Sequence, residues 1–347
     1  MSFRYIGSKA RLVDAIHEHI GMPDGGTFVD AFCGTGAVAE AASKAGWPVL
    51  VNDHLASSSI MALARVLSEK QVSFDAFGGY LNAINELNRA EPYAGFIWRE
   101  YSPESKNHGD SERKYFTEDN ARKIDGIRHQ ISAWENAGLI SQSEFYILLA
   151  DLLGAANRVA NTAGTYGCFL SKWQRQSLDR LELSPRSIAS SAPKAVMSNC
   201  DVLHVPCRPE DTVYLDPPYT KRQYAAYYHI LETIALGDEP VVEGVCGIRP
   251  WRHIASDYCY KVRAADALQK LVSSIPARRI FLSYSTEAHV PLDVLGEAFE
   301  GIGDVVCHEL ENIGRYRPNR TASERGSKVG EVLFFVEKSP QESMVAA

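Results

Sequence analysis

The sequence has no run of about 18 uncharged apolar residues, and its first residues are polar and basic. We therefore expect neither a membrane span nor a secretion signal, and we place the protein in the cytoplasm. Internal repeats are also missing. Seven cysteines are present without any C-x-x-C pair, so neither a metal site nor a disulfide framework is predicted.

The composition is that of an ordinary globular protein. Hydrophobic residues make up 45% of the 347 residues and charged residues 23%, which excludes a disordered or collagen-like chain. This length suits about two average domains. The net charge of -7 argues against a general nucleic-acid coat protein, although it leaves a local basic groove open.

Strand patterns occur at both ends of the chain and fade in its middle. Short apolar segments at 27–32 and 48–51 are each followed by a helical pattern, at 37–44 and 57–67. More strands are predicted at 195–198, 212–215, 279–285 and 331–336, with a helix at 256–274 before the third of these. We predict an α/β fold with a parallel sheet built from residues 1–72 and 195–347. A mainly helical insert at 73–194 would overhang the carboxyl edge of the sheet.

Two helices of the insert have clear start signals. Thr117 is a suitable N-cap, and Ile124, Ile127, Ile131 and Trp134 recur three or four residues apart, on one helix face. The segment 141–144 reads Ser-Gln-Ser-Glu, a capping box that opens a second, apolar helix.

A glycine turn follows the first strand. The segment 30–36 reads Asp-Ala-Phe-Cys-Gly-Thr-Gly, and Asp53 ends the next strand. Glycines let a ligand approach the backbone, and a carboxylate at that second position can accept hydrogen bonds from ribose hydroxyls. The pattern indicates nucleoside binding. The third glycine of G-x-G-x-x-G is missing, so NAD is not favoured, and a purely structural turn stays open.

A second motif, Asp216-Pro217-Pro218-Tyr219, directly follows the strand at 212–215. Proline restricts its own backbone and that of the residue before it, so this tetrapeptide is a rigid bracket. It can hold one carboxylate and one proline carbonyl against a planar amino group, with the tyrosine as a stacking face. The alternative is a proline-rich turn without a catalytic role.

Together these motifs resemble the Dam-like, D12-class DNA adenine methyltransferases in sequence, spacing and order. Tyr5-Ile6-Gly7-Ser8-Lys9 comes first, then Phe32-Cys33-Gly34-Thr35-Gly36, then the insert, then the bracket. Two departures are Tyr5, where Dam has tryptophan, and Ala31, where Dam has proline. The resemblance implies a Rossmann-like S-adenosylmethionine-dependent methyltransferase sheet and an inserted target-recognition lobe.

The resemblance also implies methyl transfer from S-adenosylmethionine to the exocyclic amino nitrogen of a flipped-out adenine in double-stranded DNA. Asp216 and the Pro217 carbonyl would accept the two amino hydrogens, Pro218 would stiffen the bracket and Tyr219 would stack on the base. The implied cofactor-binding residues are Tyr5, Gly7, Lys9, Asp30, Phe32, Gly34, Gly36, Asp53, Asp201 and Val202.

Basic residues interleaved with aromatic ones indicate DNA contact, against the alternative of a solvated surface. They lie in the stretches 158–186 and 312–328 and directly after the bracket. The predicted DNA-binding residues are Arg158, Tyr166, Lys172, Arg175, Lys221, Arg222, Arg315, Arg317 and Arg320. A DNA-binding role would associate the protein with the nucleoid.

Rival functions are an RNA or protein-glutamine methyltransferase and a DNA-binding regulator without turnover. Asp216 disfavours the glutamine enzymes, which carry asparagine there, and it favours adenine over cytosine, which generally goes with serine. The intact bracket and glycines disfavour a regulator. The sequence leaves open a homodimer, a cognate restriction enzyme and the recognition site.

Overall fold

The computed structural model describes residues 5–7, 9–310 and 330–339. Within them, a seven-stranded sheet runs in the order β3-β2-β1-β4-β5-β7-β6. The first five strands are parallel, and β7 is antiparallel to both β5 and β6. The strands are β1 Phe28–Asp30, β2 Val49–Asn52, β3 Ala195–Ser198, β4 Thr212–Leu215, β5 Arg279–Ser285, β6 Asp304–Glu309 and β7 Glu331–Glu337.

Helices cover the sheet and form the insert. Strands β1, β2 and β4 are buried along their whole length, as expected for parallel strands with both faces covered. None of the helices in the described ranges combines the length and apolar character needed to cross a bilayer. The α-helices in these ranges are α1 Val13–Ile20, α2 Ala37–Lys44, α3 Ala56–Val66, α4 Tyr80–Arg89, α5 Phe96–Tyr101, α6 Glu118–Asn136, α7 Gln142–Val159, α8 Tyr224–Tyr227, α9 His229–Leu236, α10 Ala264–Ser274 and α11 Leu292–Glu300.

The strand order places the two sequence motifs side by side. Strand β1 lies between β2 and β4. Strands β2 and β3 lie on one side of β1 and the later strands on the other, so the strand order reverses at this point. In open α/β sheets, ligands bind at such a switch point, beyond the carboxyl ends of the strands. Asp30, Asp53 and Asp216 all lie at or directly after those ends.

The helical insert has the predicted caps. Thr117 accepts a hydrogen bond from the backbone of Asn120 at the start of α6, and Ser141 and Glu144 form the capping box of α7. Helix α7 packs on α3 and α9, and its buried residues belong to the same hydrophobic core as one face of the sheet. The insert is therefore anchored to the helices that cover the sheet.

Three parts of the fold differ from the sequence predictions. The sheet, predicted to be parallel, is mixed, because β7 pairs antiparallel with β5 and β6. Residues 256–274 do not form one helix, because the Gln223 side chain binds both the N–H and the C=O of Ser256 and holds that residue extended. A 3-10 turn at Asp257–Cys259 precedes α10. Strand β6 was not predicted, since most of this edge strand is exposed and its apolar signal is weak.

Candidate active site

A cavity of about 440 Å³ opens at the carboxyl ends of β1, β2 and β4. Residues from the N-terminal motif, the glycine turn and the bracket share its walls. The predicted site residues that line it are Tyr5, Gly7, Lys9, Asp30, Phe32, Gly34, Asp53, Asp201, Val202, Asp216 and Pro218. The fold thus brings motifs from distant parts of the sequence to one cavity.

The glycine turn is fixed by close packing. Gly34 and Gly36 have φ angles of 49° and 79°, in the region that favours glycine. A Cβ on Gly34 would lie 3.2 Å from the Tyr5 ring, and one on Gly36 would lie 2.6 Å from the Cα of Ala62 in α3. Gly36 was predicted to line the cofactor site, but its Cα faces α3, where it allows α2 and α3 to approach closely.

Asp53 holds this turn in place. Its Oδ2 accepts the Gly34 N–H at 3.1 Å, and its Oδ1 accepts the Leu55 N–H at 2.9 Å. Burial raises the pKa of the Asp53 carboxyl to about 6. A carboxylate has about four acceptor positions, so Asp53 can also accept a hydrogen bond from a ligand.

Asp30 has one unpartnered carboxylate oxygen. Its Oδ2 accepts the Ala39 N–H at 3.2 Å, whereas Oδ1 is buried without a hydrogen-bond partner among the described residues. Burial, followed by the charge of Asp216, raises the pKa of Asp30 well above its usual value. Buried polar atoms are normally paired, so this oxygen at the cavity wall fits a ligand that donates a hydrogen bond.

The bracket is tied to the N-terminal motif by charge. Lys9 lies 3.4 Å from Asp216 Oδ1 and 2.9 Å from Glu331 Oε2. Burial raises the pKa of Asp216 to about 6, although the Lys9 ammonium opposes this shift. Lys9 was predicted to bind the cofactor, and it contacts the Asp216 carboxylate of the bracket as well as lining the cavity. Glu331 was not predicted as a site residue. Its one distinguishing feature in the sequence is that it is a carboxylate at the start of an apolar strand.

Tyr219 is held at its hydroxyl and against its ring. The hydroxyl donates to Glu331 Oε1 at 3.3 Å, and the ring packs edge-on against Tyr284 at 5.6 Å between centroids. The Lys9 ammonium lies 5.2 Å from the centroid of the Tyr219 ring. The orientation of the ring is therefore fixed before any substrate arrives.

Two tyrosines beyond the bracket hold the N-terminal segment over the cavity. Tyr228 stacks on Tyr5 at 4.4 Å and accepts the Ile6 N–H at 2.7 Å, and Tyr224 donates to the Ile6 carbonyl at 3.2 Å. Gly7 has a φ angle of 77°, in the region that favours glycine, and a Cβ there would lie 2.7 Å from the Tyr224 hydroxyl. The sequence motif gave no sign of this clamp.

The far wall of the cavity comes from two loops. Asp201 caps a short 3-10 turn by accepting the Leu203 N–H at 2.9 Å, and Val202 lines the cavity beside it. Residues 254–258 were not predicted as part of the site, yet they also line the cavity, and Tyr258 packs edge-on against Phe32 at 5.6 Å. Their loop carries no motif that would have identified them.

The basic residues among the predicted DNA-binding residues fall into three groups. Lys172, Arg175, Lys221 and Arg222 are exposed. Arg158 is half-buried and donates a hydrogen bond to the carbonyl of Glu182. The last group lies outside the described residues and consists of Arg315, Arg317 and Arg320.

Tyr166 is a correction to the sequence prediction. Its side chain is fully buried and its hydroxyl donates to Asn157 at 3.1 Å, so it supports the core and is not presented to DNA. Its backbone N–H donates to the Tyr227 carbonyl at 2.7 Å. This bond joins the glycine-rich turn after α7 to α8, beside the exposed Lys221 and Arg222.

Comparison with known proteins identifies the family. The profile of the D12 class N6 adenine-specific DNA methyltransferases matches residues 5–292. The chain is 30% identical over 346 residues to the modification methylase StsI of Streptococcus sanguinis and 32% identical over 345 residues to the type II methyltransferase M.FokI of Planomicrobium okeanokoites. These alignments cover 97% and 96% of this chain but 52% of each relative.

A third relative matches over nearly its whole length. The type II methyltransferase M.NlaIII of Neisseria lactamica is 32% identical over 346 residues, which cover 96% of this chain and 99% of that protein. The chain thus spans about half the length of the first two relatives and almost all of the third. The profile match over most of the chain shows that it belongs to the D12 class of N6 adenine-specific DNA methyltransferases.

Proposed function

We propose that the protein is a site-specific DNA methyltransferase that transfers a methyl group from S-adenosylmethionine to N6 of a flipped-out adenine in duplex DNA. The observation that carries the proposal is the convergence of Asp30 and Asp216 on one cavity. Asp30 offers a buried acceptor without a partner among the described residues, and Asp216 begins a rigid bracket.

The residues around the glycine turn fit S-adenosylmethionine. The Asp30 oxygen that lacks a partner among the described residues matches the ammonium group of the methionine part, and the remaining acceptor capacity of Asp53 matches the ribose hydroxyls. Asp201 and Val202 would lie beside the adenine ring of the cofactor, with Tyr5 and Gly7 covering it. When bound, this cofactor supplies an electrophilic methyl group on a sulfonium.

The bracket supplies what the target amino group needs. The lone pair of an adenine amino nitrogen is delocalised into the ring, so acceptors must hold both hydrogens to localise that pair. Asp216 and the Pro217 carbonyl would accept them, while the fixed ring of Tyr219 stacks on the base. The ionised Asp216 carboxylate also stabilises the positive charge that develops on the nitrogen.

DNA binding follows from the need to reach a paired base. The adenine must be flipped out of the duplex, which costs a few kcal/mol that stacking and hydrogen bonds offset. Exposed Lys221 and Arg222 lie directly after the bracket, where they would hold phosphates beside the flipped nucleotide. The insert at 73–194, with Lys172 and Arg175, would provide target recognition. Since the relatives are named modification methylases and type II methyltransferases, we propose a cognate restriction enzyme as partner.

The test is transfer of labelled methyl groups from S-adenosylmethionine to unmethylated genomic DNA, followed by nucleoside analysis. We expect label in N6-methyladenine at one recurrent short sequence. Asp216→Ala should abolish transfer while cofactor affinity, measured by calorimetry, stays within about fivefold. Asp304→Ala, which removes an exposed aspartate from edge strand β6, is the matched control. Label in RNA or protein instead of DNA would replace this proposal with one of its rivals.

A further inference from the structure

Three charged side chains and one phenol form a connected, largely buried network behind the bracket. Lys9 lies 2.9 Å from Glu331 Oε2 and 3.4 Å from Asp216 Oδ1. Glu331 Oε1 accepts the Tyr219 hydroxyl at 3.3 Å. The side chains of Lys9, Asp216 and Glu331 are only 6%, 16% and 15% exposed.

The sheet brings Glu331 to this place. Glu331 is the first residue of β7, which runs antiparallel to β5. It pairs with Ser285, the last residue of β5. Strand β4 is parallel to β5 and ends at Leu215, directly before Asp216. The start of β7 and the bracket therefore meet at one edge of the sheet.

We infer that Glu331 is a positioning residue of the methyl transfer, which fixes Lys9 against Asp216, orients the Tyr219 ring and keeps the site negatively charged. This inference rests on the proposed function. Lys9 lies beside Oδ1 of Asp216. Because the ammonium occupies that oxygen, an incoming amino group would bind to Oδ2.

The charge balance explains why a second carboxylate is useful. Lys9 and Asp216 alone would cancel, whereas the trio with Glu331 carries a net charge of about -1 when all three groups are ionised. The positive charge that develops on the adenine nitrogen is stabilised by this excess, and burial reduces the screening by water. Without Glu331, Lys9 would neutralise the acceptor that the reaction needs.

The titration of Asp216 reports this arrangement. Burial raises its pKa to about 6, the Lys9 ammonium opposes the shift, and the charge of Glu331 adds to it. Within the described part of the chain, further titratable groups that interact with Asp216 are Asp30, Tyr214, Tyr219 and Tyr224. None of these residues is replaced in a Glu331→Gln variant. Loss of the Glu331 charge, while the Lys9 ammonium still interacts with Asp216, therefore lowers the pKa of Asp216.

The experiment compares Glu331→Gln with Glu337→Gln, an exposed glutamate at the other end of the same strand. Single-turnover methyl transfer to DNA should slow by about 10- to 100-fold in Glu331→Gln, with cofactor and DNA affinities within about threefold of wild type. Glu337→Gln should match the wild type in each measurement.

A second readout does not depend on activity. Carbon-13 NMR of labelled aspartate carboxyls, with the Asp216 signal assigned through Asp216→Asn, should show its titration midpoint move down by about one pH unit in Glu331→Gln. Glu331→Asp keeps the negative charge but shortens the side chain, so the carboxylate lies farther from Lys9 and Tyr219. It should leave that midpoint near the wild-type value while methyl transfer slows, and it replaces the glutamine variant if that variant does not fold.

Unchanged transfer in Glu331→Gln would overturn the positioning role. Slower transfer with an unmoved Asp216 midpoint would overturn the charge argument and reduce Glu331 to a structural contact. If the wild type transfers no methyl group to DNA, the proposed function fails, and the carboxyl titration still decides whether Glu331 controls Asp216.

Discussion

Replacing Gly36 by alanine tests how the cofactor turn is built. Gly36 precedes α2 with φ 79° and ψ 26°, a left-handed conformation. A Cβ at this position would lie 2.6 Å from the Cα and 2.8 Å from the Cβ of Ala62 in α3. The added methyl group must therefore displace one of the two helices, and the turn between β1 and α2 moves with it.

The size of the effect follows from two contributions. Alanine in the left-handed region costs about 1–2 kcal/mol, and forcing a methyl group into a filled contact costs about 1–3 kcal/mol more. Gly36→Ala should therefore lower the free energy of unfolding by about 2–5 kcal/mol. Gly138, just beyond α6, is the matched control, because its φ is 68° and nothing lies within 4 Å of a Cβ there. Gly138→Ala should cost only the first contribution, about 1–2 kcal/mol.

Urea unfolding of both variants measures this difference, and calorimetry with S-adenosylmethionine measures its effect on the site. We expect weaker cofactor binding in Gly36→Ala, because a displaced turn loses the bond from Gly34 to Asp53. Gly138→Ala should bind the cofactor as the wild type does. Equal losses of stability in the two variants would refute the argument that contact with Ala62 requires glycine.

Three further predictions concern the acceptor, the DNA contacts and the N-terminal clamp. Because burial raises the pKa of Asp216 to about 6 and its carboxylate is the proposed acceptor, the single-turnover rate should be constant above that pH and fall about tenfold per pH unit below it. Replacing both Lys221 and Arg222 by alanine should weaken DNA binding and reduce the slope of log affinity against log salt concentration by about 2. Tyr228→Phe removes the hydroxyl that accepts the Ile6 N–H but keeps the ring, so cofactor affinity in calorimetry should fall by about fivefold.

Each of these predictions can fail on its own. A rate that stays constant down to pH 5 would remove Asp216 from the acceptor role. An unchanged salt slope would place the phosphate contacts elsewhere, and Lys44→Ala, far from the bracket on α2, is the control for the loss of an exposed charge. Wild-type cofactor affinity in Tyr228→Phe would mean that the hydrogen bond from Ile6 to Tyr228 is not needed to hold the N-terminal segment.

Much of the fold was predictable because its signals are local. Strands β3, β4 and β5 and helix α2 have the predicted bounds, and both capping patterns of the insert are present. Apolar periodicity, N-cap side chains and glycine turns act over a few residues, so a single sequence can reveal them. Strand β6 lacked such a signal, since pairing with β7 defines this exposed edge strand.

The sequence by itself determined the chemistry of the site: the glycine turn, the rigid bracket and their order along the chain. Only the tertiary structure decided which groups meet. It placed Lys9 against Glu331, 322 residues away, faced Gly36 toward α3 and buried Tyr166 in the core. Contacts between distant residues depend on strand order and helix packing, and these arise when the whole chain buries its apolar surface, so no local pattern encodes them.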